Sequence, residues 1–170
     1  MINNVSSTKV YSDPHQKIFI AQKSNKTYYV RDAGIRVGIL VHDEKNILLV
    51  KQYRFIPNRF VWEIPGGGLK SNEKPKDGAK RELFEEAGIA DEELENYFHF
   101  HPGLDINYNP TYIFASKKID YFKQEKNDEI NSVEIFSFRK VLDLINSQEI
   151  TESMTILAIY HGIINNIFKV

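Results

Sequence analysis

The sequence predicts an α+β protein in which a mixed β-sheet carries helices on its faces. The first observation is the order of patterns: strand-like runs come first, one helical run follows, and more strands and two helices complete the chain. Elements in that order typically pack as a sheet covered by helices. The second observation is size, because 170 residues with 42% hydrophobic residues suffice for one domain with a real core.

The first 33 residues predict a small β-hairpin ahead of the main sheet. Residues 1–12 are polar, and we expect them to be loosely held. Residues 17–21 and 27–31 have the alternation of two short strands. An isolated two-stranded piece is not stable in water. We therefore expect the segment 1–33 to pack on the main domain, residues 34–170, or on another subunit.

The main domain opens with its strongest strand signals. Residues 34–42 are rich in β-branched side chains, and residues 47–53 form the returning strand after a polar turn. Four later segments also predict strands, at residues 60–64, 97–101, 111–117 and 132–138.

Two helices are predicted at the end of the chain, over residues 139–146 and 151–168. In the second helix, apolar residues recur at helical spacing. We expect that face to be core or, alternatively, a dimer face; it consists of Ile156, Tyr160, Ile163 and Ile167.

Composition excludes several classes of protein. A net charge of −1 leaves no electrostatic footprint for nucleic acid or an anionic membrane. The chain has no cysteine, which fits a reducing compartment. Its N-terminus lacks the basic start and apolar run of a signal peptide, and no apolar run has the length of a membrane span. We therefore expect a cytoplasmic protein without nucleic-acid or membrane partners.

The chain is organised around residues 67–89, which contain three clustered carboxylates. Glu82 lies three and four residues before Glu85 and Glu86, so on a helix all three point to one side. Like charges at that spacing repel each other. Oxygen ligands without cysteine or histidine suit hard divalent ions, magnesium first. The pattern therefore predicts a cation site against the glycine-rich loop Gly66–Gly68.

Local signals set the limits of this helix. Pro75 suits its first turn, and Gly88 suits its end. Ala79, Leu83 and Ala87 recur every four residues and predict the buried stripe.

The full spacing resembles the Nudix box, G-x5-E-x7-R-E-U-x-E-E-x-G-U with U aliphatic. Every position of that pattern is matched, by Gly67, Glu73, Arg81, Glu82, Leu83, Glu85, Glu86, Gly88 and Ile89. The resemblance implies an α/β/α sandwich. It also implies that Glu82, Glu85 and Glu86 bind Mg²⁺, or alternatively Mn²⁺, together with the carbonyl of Gly66. Arg81 and Glu73 would then be structural support, with Arg81 orienting Glu85.

Residues outside the box narrow the resemblance to ADP-ribose pyrophosphatases and related nucleoside-diphosphate-sugar hydrolases. Similar phrases are Gln52-Tyr53-Arg54, the run from Trp62 to Gly67, and Pro102-Gly103. This chain departs from them in two places. Gly66 stands where those enzymes usually have alanine. Residues 104–109, directly after Pro102-Gly103, lack the acidic residue often found there, and Asp105 is the only candidate for it. The substrate therefore stays open between ADP-ribose and another nucleotide, such as a GDP-mannose-type sugar.

The reaction implied is attack of water on one phosphorus of a diphosphate bridge. By resemblance, the general base comes from an acidic loop well after the box, which here holds Glu125, Asp128 and Glu129. Glu129 is the first candidate and Glu125 the second, with Glu85 counted as a further catalytic carboxylate. The plain alternative for the loop is a solvated charged segment.

Substrate-binding candidates lie before the box. Arg54 is expected to contact phosphate or the terminal ribose, because guanidinium groups pair well with phosphate oxygens. Glu63 is expected to bind a ribose hydroxyl or the base. The alternatives are a surface salt bridge for Arg54 and a structural hydrogen bond for Glu63. An aromatic residue should stack on the base, and Tyr53, Phe55 and Tyr28 are candidates.

Two further hypotheses concern assembly and class. In the enzymes that this chain resembles, the N-terminal β-segment packs against a partner subunit, so we expect a homodimer. A non-catalytic Nudix-fold sensor is the alternative from another class. Such domains usually lose box glutamates or add a DNA-binding module; here all the glutamates are present and no basic recognition helix follows.

Overall fold

A computed structural model describes residues 6–121 and 130–168. In this part of the chain three α-helices and a short 3-10 turn, Ile119–Tyr121, accompany eleven strands. The helices are α1 (Pro75–Ala87), α2 (Phe138–Asn146) and α3 (Ser153–Ile164). The strands are β1 (Ser7–Ser12), β2 (Lys17–Lys23), β3 (Lys26–Asp32), β4 (Arg36–His42), β5 (Asn46–Arg54), β6 (Arg59–Glu63), β7 (Gly66–Gly68), β8 (Glu95–Phe100), β9 (Asn107–Tyr108), β10 (Thr111–Ser116) and β11 (Ile130–Ser137).

The main sheet is mixed, and helices cover both of its faces. Its central order is β11-β5-β4-β10-β8, with β6 paired to β5 and β7 paired to β4. On one face α1 packs through Ala79, Leu83 and Ala87, which have no exposed surface. On the other face α2 and α3 enclose a second core around Leu40 and Ile113. The predicted sandwich with a mixed sheet between helices is confirmed.

The N-terminal segment forms part of a second, four-stranded sheet in the order β1-β2-β3-β9. The predicted hairpin is present as β2 and β3. The expectation of a loosely held start was wrong for Ser7–Ser12, which pairs with β2 as a strand. The short strand β9 lies parallel to β3 at the edge of this sheet. The expected boundary at residue 33 falls between β3 and β4, and the division into two domains stays a prediction.

The central strands separate at a fork. The last two residues of β4 pair with β5, at Val41↔Leu48 and His42↔Ile47. The first three residues of β4 pair with β7 instead. Strand β5 continues on its own with β6 and β11. Two arms therefore diverge from one end of the sheet, and we call the space between them the fork cavity.

The buried face of α3 differs from the prediction. The residues with the least exposure are Met154, Thr155, Ala158, Ile159 and Gly162. The interpretation of this face as core was wrong for Tyr160, which is 47% exposed, whereas Ile156, Ile163 and Ile167 pack partly buried against the core. The reason is that the ring of Phe168 packs directly against the backbone of Gly162, where a Cβ would overlap it, and this contact turns the Gly162 side of the helix inward. The alternative of a dimer face stays a prediction. No helix in the described part of the chain is both long and apolar enough to cross a membrane.

Candidate active site

Helix α1 presents the clustered carboxylates from a well-defined position. Pro75 occupies its first turn, as predicted, and Gly88 ends it in the left-handed conformation with φ 67°. The N–H of Gly88 donates to the carbonyl of Phe84 at 2.9 Å, which satisfies one terminal carbonyl. Since the apolar stripe of α1 is buried against the sheet, the side chains of Glu82 and Glu86 are directed to the rim beside Gly66–Gly68.

Arg81 is the centre of a carboxylate network. Its Nε and Nη2 donate to the two carboxylate oxygens of Glu73 at 2.8 and 2.9 Å, and Nη2 also donates to the Gly68 carbonyl at 3.0 Å. Its Nη1 donates to Glu82 at 2.7 Å and to Glu85 at 2.9 Å. The predicted contact between Arg81 and Glu85 is thereby confirmed. The hydrogen bonds from Arg81 lower the pKa of Glu73 to about 2, so Glu73 is a permanent anion that anchors the guanidinium.

Glu86 is the most buried of the three carboxylates, with 7% of its surface exposed. One oxygen accepts from the N–H of Gly66 at 2.8 Å, and the other accepts from Nε2 of Gln52 at 2.6 Å. Burial is the main cause that raises the pKa of Glu86 to about 8, and the nearby charge of Glu82 raises it further. The two hydrogen bonds act in the opposite direction. The sequence around Gln52 carries no local signal for this contact, because Gln52 and Glu86 lie 34 positions apart.

Glu82 lies directly against the backbone of the glycine loop. A Cβ added to Gly67 would stand 2.5 Å from Oε1 of Glu82, so only glycine leaves room for this carboxylate. The Glu82 side chain is 12% exposed, and burial is the main cause that raises its pKa. The charges of Glu85 and Glu73 raise that pKa further.

The donor set fits a hard divalent cation, although the carboxylates are held apart. Arg81 binds Glu82 and Glu85, whereas Glu86 binds Gly66 and Gln52. Within residues 6–121 and 130–168, no three acidic or histidine side chains converge as a metal site would need. Burial, together with the charges of neighbouring carboxylates, raises the pKa of Glu82 and Glu86, and a divalent ion bound there would stabilise their ionised forms. Ligation by these glutamates and by the Gly66 carbonyl stays a prediction.

The fork cavity has a volume of about 630 Å³, the size of a small-molecule site. Arg36, which lines it, is the register partner of Gly68 in the glycine loop. Arg54 and Glu63, both predicted to bind substrate, line it together. They form a bidentate salt bridge, in which Nε of Arg54 donates to Oε1 of Glu63 at 2.8 Å and Nη2 donates to Oε2. The Glu63 side chain is 2% exposed and the Arg54 side chain 37% exposed. The pair therefore leaves the outer edge of Arg54 open to a ligand.

Of the three aromatic candidates for base stacking, Phe55 lines the cavity and is 87% exposed. Tyr53 instead donates to Asn58 and packs edge-on against Phe60. Thr151 and Glu152, at the start of α3, close the opposite side of the cavity.

The candidate general bases cannot be placed. Glu125, Asp128 and Glu129 lie outside the described residues. The role of Glu129, of Glu125 and of Glu85 in proton transfer therefore stays a prediction.

Comparisons with known proteins agree with this geometry. The family model of the NUDIX domain matches residues 32–154. An ADP-ribose pyrophosphatase of Bacillus subtilis (strain 168) is 29% identical over 142 residues, covering 82% of this chain and 77% of the relative. A methanol dehydrogenase activator of Bacillus methanolicus is 29% identical over 143 residues, with the same coverage. The crystal structure of an ADP compounds hydrolase superposes with a TM-score of 0.74 at 15% identity, covering 93% of this chain and 90% of that chain.

Proposed function

The chain belongs to the Nudix family, and on that premise we propose that it hydrolyses the diphosphate bridge of ADP-ribose or a similar nucleoside diphosphate sugar with the help of Mg²⁺. The products would be a nucleoside monophosphate and a sugar phosphate. One observation carries the proposal. The glutamates of α1 stand against a glycine loop, and the strand paired with that loop contributes Arg36 to a cavity that is large enough for a nucleotide.

Magnesium, with manganese as the alternative, would be held by Glu82, Glu85, Glu86 and the carbonyl of Gly66. When bound, the ion supplies charge neutralisation for the diphosphate and a more acidic water. An oxygen-only donor set suits such an ion.

The chain's own residues would position the reacting groups. Arg81 restrains Glu82 and Glu85 through hydrogen bonds, and Gly66 and Gln52 restrain Glu86. Arg54 would donate to a phosphate oxygen with the edge that Glu63 does not use.

The water oxygen would form a bond to one phosphorus while the bond from that phosphorus to the bridging oxygen breaks. The water proton would pass to a carboxylate. Glu129 is the first candidate for this base, Glu125 the second, and Glu85 a further one.

ADP-ribose is the proposed first substrate because a relative named as an ADP-ribose pyrophosphatase aligns with most of this chain. Phe55, exposed at the cavity, offers a surface on which a base can stack. The departure at Gly66 has a physical reason in this chain, since a Cβ there would overlap the carbonyl oxygen of Val37. A GDP-mannose-type sugar nucleotide remains the alternative substrate.

We also propose a homodimer and a cytoplasmic location. The N-terminal sheet and its neighbourhood expose large apolar side chains, among them Val10, Tyr11 and Tyr29, which is 65% exposed. A second copy of the chain would cover such a surface. Light scattering at micromolar concentration tests this assembly, and a monomeric mass would contradict it.

The decisive experiment measures phosphate release from a panel of nucleotide sugars in a coupled phosphatase assay with magnesium. It compares the wild type with Glu86→Gln. Turnover of ADP-ribose that collapses in the variant would support the chemistry, the cluster and the substrate together. Turnover of another sugar nucleotide alone would keep the chemistry and replace the substrate. A folded, magnesium-loaded protein without activity on any member would refute the proposal.

A further inference from the structure

Arg36 is the first residue of β4 and stands on the arm of the fork that carries the glycine loop. It is the register partner of Gly68 in β7 on one side and of Thr111 in β10 on the other. Its backbone N–H donates to the carbonyl of Pro110 at 2.9 Å. The backbone is therefore fixed from both sides, and the Arg36 side chain lines the fork cavity.

The guanidinium of Arg36 has no protein partner among residues 6–121 and 130–168, where it makes neither a hydrogen bond nor an ion pair. The acidic side chains that line the cavity are already engaged. Glu63 binds Arg54, and Glu152 accepts two backbone N–H groups and a hydroxyl at the start of α3. Arg36 is thus a half-buried cation whose charge the described protein leaves uncompensated, an arrangement that favours an anionic ligand.

The two arms of the fork each contribute an arginine to the lining of the same cavity. Arg36 comes from β4, and Arg54 comes from β5. Three arginines and two glutamates line the cavity, a formal excess of one positive charge. Guanidinium groups bind phosphate oxygens with two parallel hydrogen bonds, so an anion between the arms can accept from both walls.

We infer that Arg36 binds the diphosphate group of the substrate opposite Arg54 and determines specificity for two linked phosphates over one. The inference rests on the proposed function for the identity of the substrate. Two adjacent phosphates offer an anionic oxygen to each arm, whereas a single phosphate satisfies one arm. Arg36 is a substrate-binding residue in this scheme, because it reaches the ligand directly, whereas the Arg54 guanidinium is partly used by Glu63.

The test is binding of ADP and of AMP, measured by titration calorimetry in EDTA so that no turnover occurs. Four proteins are compared: the wild type, Arg36→Gln, Arg36→Lys and Arg139→Gln. Arg139 is a matched control, because it is an arginine on α2 whose side chain is 82% exposed and does not line the cavity. A lost charge-assisted hydrogen bond corresponds to a factor of roughly 10 to 100. We expect ADP to bind about 10- to 100-fold more weakly to Arg36→Gln.

For Arg36→Gln, the loss of AMP affinity should be smaller than the square root of the fold-loss for ADP. Arg139→Gln should bind both nucleotides as the wild type does, within about twofold. Arg36→Lys keeps the positive charge without the planar guanidinium, so its ADP affinity should lie between that of the wild type and that of Arg36→Gln. In steady state, the KM for the best diphosphate should rise by the same factor as the ADP affinity falls, with kcat within about threefold, because binding is lost equally in ground and transition states.

Several outcomes overturn the inference. It fails if Arg36→Gln binds ADP as the wild type does, if ADP and AMP lose affinity equally, or if wild-type protein binds no ADP. If Arg36→Gln lowers the melting temperature strongly, Arg36→Lys decides the matter. A folded Arg36→Lys that binds ADP as tightly as the wild type overturns the inference, and one that loses more ADP affinity than AMP affinity supports it. A wild type that binds ADP through Arg36 but hydrolyses no nucleotide sugar would support the inference and refute the proposed function. Hydrolysis that is unchanged in Arg36→Gln would do the reverse.

Discussion

The substitution Gly67→Ala separates metal binding from folding. An added Cβ would stand 2.5 Å from Oε1 of Glu82 and 2.6 Å from its carboxyl carbon. Nothing else in the immediate surroundings is closer, so the Glu82 carboxylate has to move. Its hydrogen bond with Arg81 at 2.7 Å then breaks or lengthens.

The structure sets the size of two separate effects. Overpacking of a rigid core costs about 1–3 kcal/mol. Here the displaced atoms are the end of a flexible side chain, so we expect the free energy of unfolding to fall by less than about 1 kcal/mol. That corresponds to a drop in melting temperature of about 2–4 °C at most for a chain of this size. Misplacing groups that orient metal ligands typically costs about 10- to 100-fold in metal affinity.

The assay measures phosphate release against magnesium concentration and fits the concentration that gives half-maximal activity. We expect that concentration to rise about 10- to 100-fold in Gly67→Ala. Gly68→Ala is the matched control, because a Cβ at the neighbouring position meets no atom within 4 Å. It should resemble the wild type in both magnesium dependence and melting temperature.

Equal magnesium requirements of Gly67→Ala and Gly68→Ala would refute the proposed role of Gly67 in placing the Glu82 carboxylate. That role is also refuted if Gly67→Ala unfolds with a loss of several kcal/mol, since the loop would then be required for folding and not for the position of Glu82.

Three further predictions concern single side chains. Burial raises the pKa of Glu86 to about 8 in the folded metal-free protein, above the ordinary 4.5, so the folded protein keeps a proton that the unfolded chain releases, and the free energy of unfolding falls between pH 4.5 and 8 by about 1 kcal/mol per pH unit. Urea unfolding in EDTA should show that slope in the wild type and a weaker one in Glu86→Gln, and equal slopes would contradict this prediction. Glu73→Gln should lower the free energy of unfolding by about 2 kcal/mol at pH 7. Because the pKa of Glu73 is lowered to about 2, this difference from the wild type should disappear as the pH falls from 4.5 to 2. A difference that does not change with pH would exclude the ion pair with Arg81 as its cause. Thr155→Val should lower the free energy of unfolding, measured by thermal unfolding, by about 1–3 kcal/mol, because the buried N–H of Ile64 loses its acceptor at 3.0 Å. Thr155→Ser keeps the hydroxyl and should be nearly as stable as the wild type, and a serine variant as unstable as the valine variant would assign the effect to packing.

The sequence predicts what local signals determine. The limits and the buried stripe of α1 follow from Pro75, Gly88 and apolar residues every four positions, and all of these depend on neighbours within one or two turns. The contact between Arg81 and Glu85 is local for the same reason, since it joins residues four apart.

Partners that are distant in sequence could not be predicted. Gln52 and Glu86 lie 34 positions apart and meet only when β5 and α1 are packed together. Strand β1 is exposed along its whole length and carries no alternating pattern, so its pairing with β2 defines it. Helix α3 is apolar around most of its surface, and the residue that selects its buried face is Gly162, which admits Phe168.

The fork between β4 and β5 gives the cavity one wall that carries the glycine loop and one wall that ends in an exposed turn. The wall of β4 and β7 carries the glycines that accommodate Glu82 and Glu86. The other wall ends in the exposed turn between β5 and β6, where Phe55 and Ile56 are 87% and 95% exposed. Insertions or exchanges in this turn can reshape the pocket for a new leaving group without disturbing a hydrogen bond of the glutamate cluster. A single ancestral chemistry could diversify its substrates through that hairpin alone, and directed evolution of substrate range should begin there.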